Sequence, residues 1–96
     1  MTDFCKKIQK LGKGISSPSR YRILELLMTG PKTVSELVIN IKLTQPAVSQ
    51  HLATLRTCGL VESSKKGQEV YYTLDTRQML TVLKVLTDDV QKCKNA

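Results

Sequence analysis

Few residues of this chain could do chemistry, and most of the usual reactive pairings are missing. There is one histidine, His51, and the three cysteines, Cys5, Cys58 and Cys93, include no CxxC pair. The sequence shows no nucleophile–base pair, no glycine-rich phosphate loop and no cluster of metal ligands, which argues against an enzyme and against a resident cofactor or metal. Hydrogen-bonding chemistry is better supplied. Between Thr44 and Gly59, Val48, Leu52 and Leu55 recur at i, i+4 and i+7, the spacing of one buried helix face. The other side presents Gln45, Pro46, Ser49, Gln50 and Ala53, which are small or amide-bearing and uncharged. A solvated helix face ordinarily carries Lys and Glu. One that avoids both, yet can donate and accept, suits the base edges exposed in the major groove of double-stranded DNA.

Such a helix needs elements to hold it. Thr44 is placed to cap it, Gln45 and Pro46 to open it, and Gly59 to supply a left-handed residue after Cys58. Just upstream, Thr33 and Glu36 have the form of a capping box opening a helix that buries Leu37 and Ile41. From Leu60 the period changes to two. Leu60–Ser64 and Glu69–Leu74 read as strands joined by a turn through Lys65, Lys66, Gly67 and Gln68. Toward the N-terminus, Phe4, Ile8, Leu11 and Ile15 mark a short amphipathic helix whose end is weakened by Gly12 and Gly14. Ser17 and Pro18 begin a second helix with Ile23, Leu24, Leu27 and Met28 as its buried face, closed by Gly30 and Pro31. Asp75 caps a long last helix with Met79, Leu83, Leu86 and Val90 in a stripe.

The order is α-α-α-α-β-β-α, mainly α with a small β-hairpin, and residues 1–96 read as a single domain without repeats, linkers or low-complexity segments. Two helices, a tight turn and a hairpin with a basic tip make a winged helix-turn-helix. The first helix of the pair props the second, whose N-terminal residues meet base edges while its dipole and free N–H groups favour a phosphate. Lys65 and Lys66 at the hairpin tip can reach the neighbouring backbone or minor groove.

Composition agrees. The chain has 15 Lys and Arg against 8 Asp and Glu, a formal charge of +7, which calls for a polyanionic partner. Solubility alone can account for such a charge, so its placement has to decide. Apolar residues are 41%, aromatics only 4% and Trp is absent, so the core must be aliphatic. No apolar run approaches the roughly 20 residues of a membrane span, and the first residues lack the apolar stretch of a secretory leader. The expected setting is the cytoplasm, with no membrane partner and no disulfide framework.

Several blocks together resemble the ArsR/SmtB family of small dimeric bacterial repressors. They are Ser17-Pro18-Ser19-Arg20-Tyr21-Arg22-Ile23-Leu24, Gln45-Pro46-Ala47-Val48-Ser49-Gln50-His51-Leu52, Leu55-Arg56 with Gly59-Leu60-Val61, and Gly67 with Val70-Tyr71-Tyr72. The likeness covers about residues 15 to 75, with Ser17 where the family commonly has Asp. It implies that Gln45, Ser49 and Gln50 read bases, with Thr44 and Arg56 on phosphates. His51 lies about 60° from Val48 on a helical wheel, and is read as a packing or hydrogen-bonding residue. Many members are released from DNA by metals, metalloids or oxidants, yet the usual metal sites are missing. Glu36-Leu37-Val38-Ile39-Asn40 has no thiol where the family's metal helix has a pair, and the last helix has Asp88 and Asp89 but no histidine.

Sulfur remains. The resemblance puts Cys5 and Cys93 on the two helices that build the family's dimer interface. There they could form a disulfide or bind a thiophilic metalloid, within one subunit or across two. The family's persulfide-responsive branch uses a thiol on the second helix, where this chain has Glu25, so only Cys93 matches. Alternatively, Cys93 continues the Leu86–Val90 stripe as a small buried hydrophobe, Cys58 is a packing residue, and no inducer is sensed at all. The first and last helices carry more apolar surface than the other short elements can cover, which calls for a twofold mate. The expected protein is thus a homodimeric repressor on a pseudo-palindromic operator, its inducer unassigned. The competing reading is a winged-helix module that binds another protein and does not read DNA.

Overall fold

A computed structural model describes residues 3–95 of the chain, and side-chain surroundings to residue 93; Met1, Thr2 and Ala96, the ends of the expected 1–96 domain, lie outside the described residues. The elements are α1 (Asp3–Ile15), α2 (Pro18–Leu27), α3 (Val34–Ile41), α4 (Gln45–Thr57), β1 (Val61–Lys66), β2 (Glu69–Leu74) and α5 (Thr76–Asn95). This is the order that the sequence pattern predicts.

Local hydrogen bonds set most helix starts. Ser17 Oγ accepts from Arg20 N at 3.3 Å, Thr44 Oγ1 from Ala47 N at 3.3 Å, and Asp75 Oδ1 from Gln78 N at 3.1 Å. At α3 the capping box is complete: Thr33 Oγ1 accepts from Glu36 N at 3.3 Å, and Thr33 N donates back to Glu36 Oε1 at 3.1 Å. Each cap satisfies a backbone donor that a helix start would otherwise leave open. The ends are as well defined. Lys42 closes α3 in the left-handed region, φ 64°, with its N–H on Val38 O at 3.0 Å. After α4, Gly59 takes φ 77°; its N–H donates to Arg56 O, and that of Leu60 to Leu55 O, each at 3.0 Å. These two bonds are the Schellman closure.

Ile23, Leu24, Leu37, Val48, Leu52, Leu55 and Leu60 form the fully buried centre, with Leu11, Leu27, Val61 and Val82 around them. Helices α2, α3 and α4 surround it and the hairpin covers one side. The approach of α1 depends on Gly14. A Cβ built there would drive into Leu60 Cδ1 and touch Leu55 Cδ2 at 3.4 Å. Just beyond, the Arg20 guanidinium caps the open carbonyls of α1, Nε donating to Gly14 O at 3.1 Å and Nη2 to Lys13 O at 2.9 Å. The sequence pattern does not reveal that clamp.

The structure corrects four expectations. Strand β1 begins at Val61 and runs through Lys66, so Lys65 and Lys66 belong to the ladder and the turn is only Gly67-Gln68. Gly67 has φ 63° at the first central position, as in the type II′ turns whose twist matches a two-residue hairpin. Met28 is exposed, because α2 ends at Leu27 and turns its next residue outward. On α5 the residue that enters the core is Val82, with Met79 packed beside it; Leu83, Leu86 and Val90 face outward. Cys93 is exposed too, which removes the buried-hydrophobe reading within the chain. The hairpin also gains a third partner that the sequence did not suggest: Lys32 pairs with Tyr72, exchanging backbone bonds of 3.1 and 2.8 Å.

Candidate nucleic-acid interface

Helix α4 divides as its spacing predicts. Val48, Leu52 and Leu55 are buried, while Thr44, Gln45, Pro46, Ser49, Gln50, Ala53 and Arg56 are all exposed. No carboxylate occurs between Thr44 and Leu60, so nothing on this helix repels a polyanion. His51 is half-buried at the edge of the core. The N-terminus of α4, capped by Thr44 and opened by Pro46, emerges from the tight turn after Lys42.

Strand register sorts the wing. Glu62, Ser64 and Lys66 pair with Thr73, Tyr71 and Glu69 on one face; Val61, Ser63 and Lys65 pair with Leu74, Tyr72 and Val70 on the other. The second face is the one that carries the buried Val61. Lys65 and Lys66, adjacent in sequence, therefore leave the hairpin in opposite directions. Both hairpin carboxylates lie on the outer face. Glu69 stands opposite Lys66 and accepts a hydrogen bond from Tyr71 Oη at 2.9 Å. That bond, reinforced by the negative charge of Glu69, holds the Tyr71 phenol above its ordinary 10.0. Gly67 and Gln68 form the exposed tip.

Between α4 and β2 lies an open depression of about 340 Å³ lined by Ser49, Leu52, Ala53, Arg56, Thr57 and Tyr72. It gathers three of the predicted contact residues, Ser49, Ala53 and Arg56, and adds Tyr72, which sequence reasoning passed over. Strand parity was the available signal, since Val70, Tyr72 and Leu74 share the inward face. Among the described residues the ion pair is Arg22 with Glu25 at 3.7 Å, both exposed; Arg56, Lys65 and Lys66 have no carboxylate within that reach. Arg20 and Lys32, by contrast, are occupied structurally, Lys32 Nζ lying 3.0 Å from Thr29 Oγ1 and 3.3 Å from Gly30 O.

The model of the bacterial regulatory proteins of the arsR family matches residues 17–63, from the cap of α2 into β1. The transcriptional repressor SdpR of Bacillus subtilis is 30% identical over 83 residues, spanning 86% of this chain and 92% of that protein. The chain belongs to the ArsR family. The transcriptional activator HlyU of Vibrio cholerae is a second relative, 38% identical over 74 residues, or 77% of this chain and 68% of that protein. The HlyU structure superposes with a TM-score of 0.75 at 36% identity, over 88% of this chain and 94% of that one. An ArsR-like regulator from Rhodococcus sp. RHA1 matches more of the backbone, TM-score 0.91 over 98% of this chain and 89% of that one. At 23% identity that likeness concerns the fold alone. The protein is thus a winged-helix, DNA-binding transcription regulator.

Among the described residues no group of three or more His, Cys, Asp and Glu side chains converges on one point. Cys58 is buried under the end of α4, while Cys5 on α1 and Cys93 on α5 are exposed. No helix is long and apolar enough to cross a membrane.

Proposed function

We propose that this protein is a homodimeric, cytoplasmic repressor that binds a pseudo-palindromic operator by inserting the N-terminal half of α4 into the major groove. The observation that carries the reading is the exposed, uncharged and hydrogen-bonding face of α4, set beside basic side chains that have no carboxylate partners. Gln45, Ser49 and Gln50 read base edges; the small Pro46 and Ala53 let the helix approach closely. Thr44, Arg56, Lys65 and Lys66 contact phosphates, and the Gly67-Gln68 tip follows the neighbouring backbone. Half-sites lie one helical turn of DNA, or a multiple, apart.

The dimer is supported by the outer side of α5. Leu80 is 66% exposed, Leu86 41% and Val90 60%, and this is more apolar surface than a single chain ordinarily leaves on one helix. Pairing α1 and α5 with a second copy covers it and presents two recognition helices on one side. Cys5 and Cys93 lie on those two helices with access to solvent, so their oxidation is a candidate signal that alters the spacing of the two recognition helices.

Selection of bound sequences from random duplex DNA tests this, repeated with reductant and with oxidant. The expected product is an inverted repeat. Recovery of no preferred sequence, together with capture of a protein partner, would favour the interaction-module reading. Identical recovery in both redox conditions would remove the thiol switch and leave the DNA reading intact.

A further inference from the structure

The depression between α4 and β2 has properties that a reading face alone does not require. Its two walls are both fixed. Tyr72 is held by a pair of backbone hydrogen bonds to Lys32, at 3.1 and 2.8 Å, and Thr57 Oγ1 is tied to Ala53 O at 3.0 Å within α4. Leu52 closes its floor. The charge around it has one sign. Arg56 lines it, Lys65 leaves the same face of the hairpin, and Glu62 and Glu69 leave the other. The Tyr72 side chain has no hydrogen-bond partner among the described residues, and the same holds for the Arg56 guanidinium. A cation and a phenol that line one hollow, with no acceptor supplied by the protein, suit an oxygen anion.

We infer that this hollow seats one phosphodiester of the operator backbone, with Arg56 supplying the charge and the Tyr72 hydroxyl a neutral hydrogen bond. The inference rests on the DNA reading above and deepens it. Tyr72 is then a positioning residue: it fixes how far the C-terminal half of α4 stands from the strand, and thereby the depth at which Gln45, Ser49 and Gln50 enter the groove. The two donors have different signatures. A cation on a phosphate releases a counterion, at a salt slope of about −0.9 per contact, whereas a neutral donor releases none. Because the contact is to backbone, loss of either donor weakens unrelated duplexes as well as the cognate one.

The test uses the full chain and the selected operator. Arg56→Gln is expected to weaken binding and to reduce the salt slope by about one contact's worth. Tyr72→Phe keeps the ring in place and is expected to weaken binding several-fold with the slope unchanged. Circular dichroism and thermal melting confirm that each variant folds. A methylphosphonate scan of the operator then locates the contact. At one position in each half-site, neutralising the phosphate should weaken the wild type and abolish the further effect of Tyr72→Phe. If Tyr72→Phe binds as tightly as wild type, or its loss persists at every neutralised position, the seat is refuted while the DNA reading stands. If the wild type itself shows no saturable, sequence-dependent binding, the underlying DNA reading fails instead.

Discussion

Replacing Gly12 and Gly14 of α1 separately by Ala makes one chemical change two residues apart in one helix, and the structure assigns the two opposite signs. Alanine is favoured over glycine in a helix by about 0.5–1 kcal/mol, because it removes backbone freedom from the unfolded chain. At Gly12 nothing lies within 4 Å of the new Cβ, so the gain is realised and stability rises by about that amount. At Gly14 the new Cβ meets Leu60 Cδ1, the end of a side chain that is only 2% exposed and must shift within the core. Forcing a methyl group into a packed core costs about 1–3 kcal/mol, through an off-rotamer side chain or a shifted helix. The propensity term is shared, so the difference between the two variants isolates the packing term at about 1–3 kcal/mol. Urea unfolding at equal protomer concentration measures it, since dimerisation would couple stability to concentration. In thermal melting the gap corresponds to about 4–8 °C per kcal/mol for a domain of this size. Two variants that are stabilised equally would show that α1 does not rest on Leu60, and the packing described here would be wrong.

Other perturbations separate the roles assigned to the surface. Gln50→Ala should cost roughly 1–3 kcal/mol on the preferred site and little elsewhere, measured by titration against single-base variants; an unchanged preference would mean that another face reads. Lys65→Ala and Lys66→Ala should each weaken all duplexes and lower the salt slope by about 0.9, as read from binding across a salt series. Lys65 should matter more, because Glu69 lies across the ladder from Lys66. Leu86→Glu on the outer side of α5 should yield a folded monomer in sedimentation and lose operator binding; a variant that stays dimeric would place the mate elsewhere. Ultraviolet titration should find the Tyr71 phenol ionising above 10.0, and Glu69→Gln should lower it. Because the folded value is the raised one, any stabilisation by this bond is complete below pH 10 and disappears as pH rises through the folded value.

Helix α4 was legible in the sequence because its determinants are local. A capping threonine, a proline at its start, a period of 3.6 and a closing glycine all lie within sixteen residues, Thr44 to Gly59. The wing was legible as a hairpin but not in its boundaries. Lysines favour neither strand nor turn strongly, and their place in the ladder is set by the II′ geometry at Gly67. Lys32 could not have been found, since a bridge of one residue has no period. On α5 the apolar positions 79, 80, 82, 83, 85, 86 and 90 span most of the helix circumference. Periodicity alone could not say that Val82 goes to the core and Leu83 to the outside; that choice is made by where α1 and α2 leave room. The clamp from Arg20 to Gly14 and Lys13 depends on the angle between two helices, which composition does not encode.

Leu60 lies between helices with different tasks, and each of its groups answers to another element. Its amide closes α4 through Leu55 O at 3.0 Å, its carbonyl accepts at 2.9 Å from the N–H of Asp75 at the start of α5, and its side chain sits beneath Gly14 of α1. It is a joint without slack. A shift of α1 or a lift of the first turn of α5 meets the end of α4 directly, with no loop in between to absorb it.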